Sequence, residues 1–189
     1  MLKRVGVLAL QGDFQEHVHV LEKLGVNAPA VRKPEQLEDI DGLIIPGGES
    51  TTFGKLATAG GLLEPLLRMC DSGRPVWGTC AGMIFLARDV GGPQPLIGVM
   101  NITVRRNAFG RQTASFEIDL NVPVLRPVAP FHGIFIRAPL IAAVGQGVEV
   151  LATLPDGTIV AARQGSLLAT SFHPELTNDL RFHQFFLGE

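Results

Sequence analysis

The chain has 189 residues, of which 46% are hydrophobic and 18% charged, with 22 glycines and 13 prolines; this suits one turn-rich globular domain spanning 1–189, with a sizeable core. A formal net charge of −2 gives no electrostatic basis for binding nucleic acid or an anionic membrane surface. Two cysteines at a spacing that matches no zinc pattern exclude a disulfide framework, and with no signal peptide and no apolar run near the ~18 residues a bilayer requires, a cytoplasmic setting is expected.

The first element predicted is a strand over 5–10, a nearly continuous apolar run of the kind buried on both faces of a parallel sheet. Gln11-Gly12-Asp13 breaks it. Asp13 then reads as an N-cap, with Glu16 completing a capping box, and Phe14, Val18, Leu21 and Leu24 recur at helical spacing up to Gly25. A short strand over 28–31 and a polar link over 32–41 lead to the next buried strand, 42–45. That strand runs into Pro46-Gly47-Gly48-Glu49-Ser50-Thr51-Thr52. A glycine pair just past a strand, followed by Ser-Thr-Thr before a helix, gathers backbone N–H groups as an anion nest or oxyanion hole does. Leu56, Leu62, Leu63, Leu66, Leu67 and Met69 supply helical apolar positions interrupted near Gly60-Gly61, and Cys70 at their end reads as core.

Residues 75–78 form a third buried run, and it ends in Gly78-Thr79-Cys80-Ala81-Gly82 with a helix expected over 81–89. Glycines on both sides of one reactive side chain permit a sharp strand-to-helix elbow and let a substrate approach closely. A cysteine there, at a helix N-terminus, is placed to act as a thiolate nucleophile. Strands alternating with helices imply an α/β fold with a mostly parallel sheet flanked by helices. Ligands then bind beyond the C-terminal strand ends, where Gln11, Gly47-Gly48 and Cys80 all fall.

After Gly91-Gly92-Pro93 the pattern shifts to short, often alternating runs at 98–104, 116–120, 133–136, 148–154, 158–164 and 167–172, with a hairpin turn at Pro155-Asp156-Gly157. The second half is therefore β-rich, and an amphipathic helix over 179–187 closes the chain. Just after the last strand comes Ser171-Phe172-His173-Pro174-Glu175. In an extended segment His173 and Glu175 face the same side, so the carboxylate can orient the imidazole and the imidazole can serve Cys80 as base.

With the cysteine elbow and Phe172-His173-Pro174-Glu175 together, the chain resembles the class I (triad-type) glutamine amidotransferases. Leu10-Gln11-Gly12, Pro46-Gly47-Gly48-Glu49-Ser50-Thr51, Arg106-Asn107-Ala108-Phe109-Gly110-Arg111-Gln112 and Phe135-Ile136-Arg137-Ala138-Pro139 narrow the resemblance to the glutaminase subunits of pyridoxal 5′-phosphate synthase, over essentially the whole chain. The resemblance implies hydrolysis of L-glutamine to L-glutamate and ammonia through a Cys80 thioester, in a Cys80–His173–Glu175 triad. It implies an oxyanion site at Gly47 and Gly48, and glutamine contacts from Gly48, Glu49, Ser50, Arg106, Ile136 and Arg137. The implied partner is a (β/α)8-barrel synthase subunit that receives the ammonia to make pyridoxal 5′-phosphate. Arg105 departs from the family, which usually carries an acidic residue there, and leaves open whether Arg105 or Arg106 meets the substrate. No Cys/His metal cluster and no phosphate loop with its lysine are present, so no cofactor is expected. The competing readings are a glutaminase subunit of nucleotide or histidine biosynthesis, a cysteine peptidase-like hydrolase on the same elbow, and a non-enzymatic scaffold. An intact Cys80, His173 and Glu175 set argues against the last.

Overall fold

The apolar runs of the first half become neighbouring strands. In the computed structural model, which describes residues 2–106 and 115–188, β1 (Val5–Leu8) is followed by α1 (Phe14–Lys23) and a two-residue strand β2 (Ala30–Val31). Gly25 ends α1 at φ 73°, as the sequence leads one to expect. The capping box at its start does not form: Asp13 occupies the N-cap position without a capping hydrogen bond, and its carboxylate lies 3.7 Å from Nδ1 of His173 instead. The polar link holds a short 3-10 turn, Pro34–Leu37, before β3 (Gly42–Ile45). Helices α2 (Ser50–Ala59) and α3 (Leu63–Asp71) are separated at Gly60-Gly61, and β4 (Val76–Thr79) follows.

After the elbow, α4 (Ala81–Leu86) is shorter than expected. Ala87 turns to an extended backbone, and β5 (Ala87–Asp89) pairs in parallel with β6 (Met100–Arg105), so strand pairing takes the last residues of the expected helix. The β-rich half continues with β7 (Ser115–Leu120), β8 (Phe131–Ile136), β9 (Leu140–Val144), β10 (Glu149–Thr153), β11 (Ile159–Gln164) and β12 (Leu167–Thr170), and α5 (Arg181–Leu187) closes it. Strand β9 has no counterpart in the sequence reading, and residues 107–112 of the family-specific stretch lie outside the described residues.

The main sheet runs β2-β1-β3-β4-β12-β11-β9-β6-β5, with β10 paired to β11, and β7 and β8 form a separate antiparallel ribbon. From β2 to β12 the strands are parallel, and β11 returns antiparallel. Side-chain alternation builds two apolar layers. Leu43, Ile45 and Val76 face Phe53, Leu66, Met69 and Phe85 of α2, α3 and α4. On the other face Val5, Val7, Ile44 and Trp77 meet Val18 and Leu21 of α1 and Phe182 and Phe186 of α5. An α/β/α sandwich results, and its carboxyl strand ends are where β4 and β12 deliver their next residues.

Candidate active site

Cys80 leaves β4 with φ 49° and ψ −104°, a left-handed backbone that costs a non-glycine residue about 1–3 kcal/mol and persists only where the surroundings enforce it. Two glycines do the enforcing. A Cβ on Gly82 would lie 2.0 Å from the Ile45 carbonyl oxygen, and one on Gly78 would lie 2.5 Å from the Gly82 backbone. The start of α4 thus presses directly on β3 and β4, and the chain must turn sharply at the residue between. Gly82→Ala is expected to cost about 3 kcal/mol, the upper range for overpacking, because the obstructing atom is backbone. A urea-denaturation midpoint equal to wild type would show that this contact is not tight.

The neighbouring strand supplies the second half of the site. Thr170 of β12 is in register with Thr79 of β4, and the Cys80 amide donates to the Thr170 carbonyl at 2.8 Å. Three residues beyond Thr170 stands His173, whose amide donates to the Ile134 carbonyl of β8 at 2.8 Å, while Ser171 Oγ donates to the Pro139 carbonyl at 2.6 Å. These bonds fix the segment after β12 beside the elbow. His173 Nδ1 is 2.7 Å from Oε1 of Glu175, and both residues are buried. Burial works against a charged His173 ring, but interaction with Cys80 and with the Glu175 carboxylate outweighs it and pushes the pKa up to about 10. Nδ1–H therefore donates to Glu175, and buried Nε2 is left without a hydrogen-bond partner of ordinary geometry. Burial pushes the Glu175 carboxyl up, against the opposing pull of its bond to His173.

Above these groups opens a cavity of about 590 Å³, lined by Gly48, Glu49, Ser50, Cys80, Arg106, Ile136, Arg137 and His173. Of the expected site residues, Gly47 and Glu175 lie behind its wall: a Cβ on Gly47 would meet the His173 ring at 2.6 Å. Arg106 lines the cavity, with Nη1 donating to Gln94 Oε1 at 2.9 Å and to Thr51 Oγ1 at 3.3 Å, whereas Arg105 is an exposed residue of β6 outside the lining. Arg137 shares the left-handed backbone of Cys80, at φ 43°, and among the described residues these are the two non-glycine positions so strained. Both face the same cavity, which is where such strain tends to gather.

The nest expected at 47–52 is arranged differently from the sequence reading. Glu49 caps α2: its carboxylate accepts from the amides of Thr51 at 3.0 Å and Thr52 at 2.7 Å and from Thr52 Oγ1 at 2.6 Å. The Thr52 hydroxyl foremost, then the two amides, holds its pKa down to about 2. Those amides are consequently committed, and the Gly47 carbonyl accepts from the Asp13 amide at 3.3 Å. Gln11 brackets the same turn, accepting from the Glu49 amide at 3.2 Å and donating to the Glu49 carbonyl at 3.3 Å. Gly48 sits at φ 145°, with a Cβ position 2.3 Å from the Gln11 amide nitrogen.

Asp13 is the cavity residue that sequence reasoning assigned elsewhere. The available signal was its place at a carboxyl strand end beside Gln11, which the capping pattern masked.

The family model described as the SNO glutamine amidotransferase family matches residues 7–189. The chain belongs to this SNO glutamine amidotransferase family. Two relatives are each named "Pyridoxal 5'-phosphate synthase subunit PdxT". That of Herpetosiphon aurantiacus is 61% identical over 188 residues, covering 97% of this chain and 98% of the relative. That of Moorella thermoacetica is 58% identical over 185 residues, covering 97% of each. A solved structure described as a glutamine amidotransferase superposes with a TM-score of 0.92 at 53% identity over 97% of both chains. The α/β fold is thus shared with that structure over nearly the whole chain.

Proposed function

We propose that this chain, a single amidotransferase domain over 1–189, is the glutaminase subunit of a pyridoxal 5′-phosphate synthase. It hydrolyses L-glutamine to L-glutamate and ammonia and passes the ammonia to a (β/α)8-barrel synthase subunit. The observation that carries the reading is the strained Cys80 elbow with a buried His173–Glu175 pair on the adjacent strand end, bonded at 2.7 Å, in a chain 61% identical to a subunit of that name. The Cys80 thiolate attacks the side-chain amide carbon, and backbone donors at Gly47 and Gly48 receive the oxyanion. His173 gives its Nε2 proton to the departing ammonia, leaving a γ-glutamyl thioester. Water then attacks the thioester with His173 as base, releasing glutamate and the thiolate. Glu175 holds the ring's tautomer throughout and supports its positive charge. Arg106 and Arg137 suit the substrate's α-carboxylate, Glu49 its ammonium, and Ile136 its methylenes. Ser50 is a neutral donor at the same wall.

The experiment that tests the reading is ammonia release from glutamine, against peptide substrates, with and without the synthase subunit. Release from glutamine alone fits the proposal, and peptide cleavage favours the peptidase-like reading. Among the described residues no helix is long and apolar enough to cross a membrane, in keeping with the cytoplasmic setting we propose.

Conditional activity follows from the Gln11 bracket. Gln11 holds the Glu49 backbone from a neighbouring strand end. The adjoining Gly47-Gly48 peptide, whose carbonyl accepts from the Asp13 amide at 3.3 Å, is where glycine lets a bound partner reorient the turn. Turnover is expected to be weak alone and to rise on the order of a hundredfold when the synthase binds, the size of one oxyanion donor. Gln11→Ala is expected to blunt that rise with little loss of thermal stability. Equal kcat with and without bound synthase would defeat the gating.

A further inference from the structure

His17 and His183 are fully buried and have no part in the steps above. His17 lies one turn into α1 from Asp13, so both side chains project toward the segment after β12. Its Nε2 is 3.4 Å from Oε2 of Glu175 and 3.2 Å from Oγ1 of Thr79, and its Nδ1 is 3.0 Å from Nε2 of His183. Glu175 Oε2 is buried, and no described group meets it in regular hydrogen-bond geometry. A buried carboxylate oxygen in that position needs a donor nearby, and His17 is the group within ion-pair distance.

The tautomer follows from charge. Burial foremost, then His183 and His173, holds His17 well below the ordinary imidazole range, and burial puts His183 at about 3, so both rings are neutral. A neutral His17 carrying its proton on Nδ1 would turn a bare Nε2 lone pair against the Glu175 carboxylate. With the proton on Nε2 it donates to Thr79 Oγ1 at 3.2 Å and turns its positive edge toward Glu175 Oε2 at 3.4 Å, and its bare Nδ1 accepts from His183 Nε2–H. His183 Nδ1 is then a lone pair, in keeping with its lack of a partner. Burial of a lone pair is tolerated better than burial of an orphaned N–H.

We propose that His17 is a positioning residue for glutamine hydrolysis: its Nε2–H steadies the second oxygen of Glu175 so that the first stays on His173, and His183 sets the tautomer that allows it. The inference rests on the proposed triad. The groups facing the Glu175 carboxylate are His173, Asp13, His17 and its own backbone amide, and those facing His17 are His183, His173, Thr79, Trp77 and Glu175. Among the side chains facing Glu175, His17 is the one whose nitrogen is placed beside Oε2, at 3.4 Å.

The test pairs two amides in the full chain assayed with its synthase subunit. His17→Gln places an N–H near the position of Nε2, whereas His17→Asn reaches only that of Nδ1. His17→Gln should keep kcat within about threefold of wild type. His17→Asn should lose on the order of ten- to a hundredfold in kcat with KM little changed, as when an outer hydrogen-bond partner is removed from a metal-bound histidine. A second readout is the NMR titration of His173 in a Cys80→Ala background: its proton should leave at lower pH in His17→Asn and at unaltered pH in His17→Gln. If His17→Asn fails to fold, His17→Met, of similar volume and without a donor, takes its place. Equal losses in the two amide variants with an unmoved His173 titration, or full kcat in His17→Asn, would overturn the proposal. Turnover surviving in Cys80→Ala would overturn it together with the triad, whereas an inactive Cys80→Ala beside a fully active His17→Asn overturns this inference alone.

Discussion

Cys80→Ala is expected to abolish glutamine hydrolysis, lowering kcat on the order of 10⁴-fold or more, as loss of the nucleophile does in other triads. The fold should survive, because alanine is small and β-elbow contacts are made by Gly78 and Gly82 rather than by the thiol. Matching thermal midpoints for the two proteins would separate lost chemistry from lost structure. A glutamine-derived electrophile should label Cys80 and spare Cys70, whose thiol is pushed up to about 11 by burial and by the charge of Asp71. Near-wild-type ammonia release in Cys80→Ala would show that the nucleophile lies elsewhere.

His173→Asn is expected to be as damaging, since in the proposed mechanism one ring serves both as acid to the leaving ammonia and as base to the incoming water. Glu175→Gln should retain measurable turnover. The amide still occupies the place beside Nδ1, and the Asp13 carboxylate, 3.7 Å from the same atom, still offers a negative charge to the imidazolium. The double variant Asp13→Asn with Glu175→Gln should therefore fall well below either single one. A double variant no less active than Glu175→Gln alone would mean that Asp13 gives the ring no support.

The elements that position the site were legible because their signals are local. Continuous apolar runs at β1, β3 and β4 mark strands buried on two faces, and the glycines around Cys80 mark a turn no other residue could make so tightly. What escaped depends on partners distant in the chain. Residues 87–89 carry a helical continuation of 81–86, and only pairing with β6 makes them a strand. Strand β9 is five residues between Pro139 and Gly145, and it becomes a strand by lying against β6 and β11. Asp13 satisfies the local rule for a cap, yet His173, 160 positions later, claims the carboxylate. The buried His17–His183 pair is likewise invisible locally, since its members stand 166 positions apart in the chain.

The strand order carries a consequence for how the molecule comes into being. β12, the last strand in the sequence, does not add to an edge; it enters the middle of the sheet, between β4 and β11. A ribosome will have made the elbow and its cysteine long before it makes the histidine, and an emerging chain short of residue 167 has a thiol with no base beside it. Contacts over such separations form late, because the closing of a long loop must precede them. On the proposed triad, the cysteine thus gains its base only when the last strand completes the sheet, before any synthase subunit can raise its turnover.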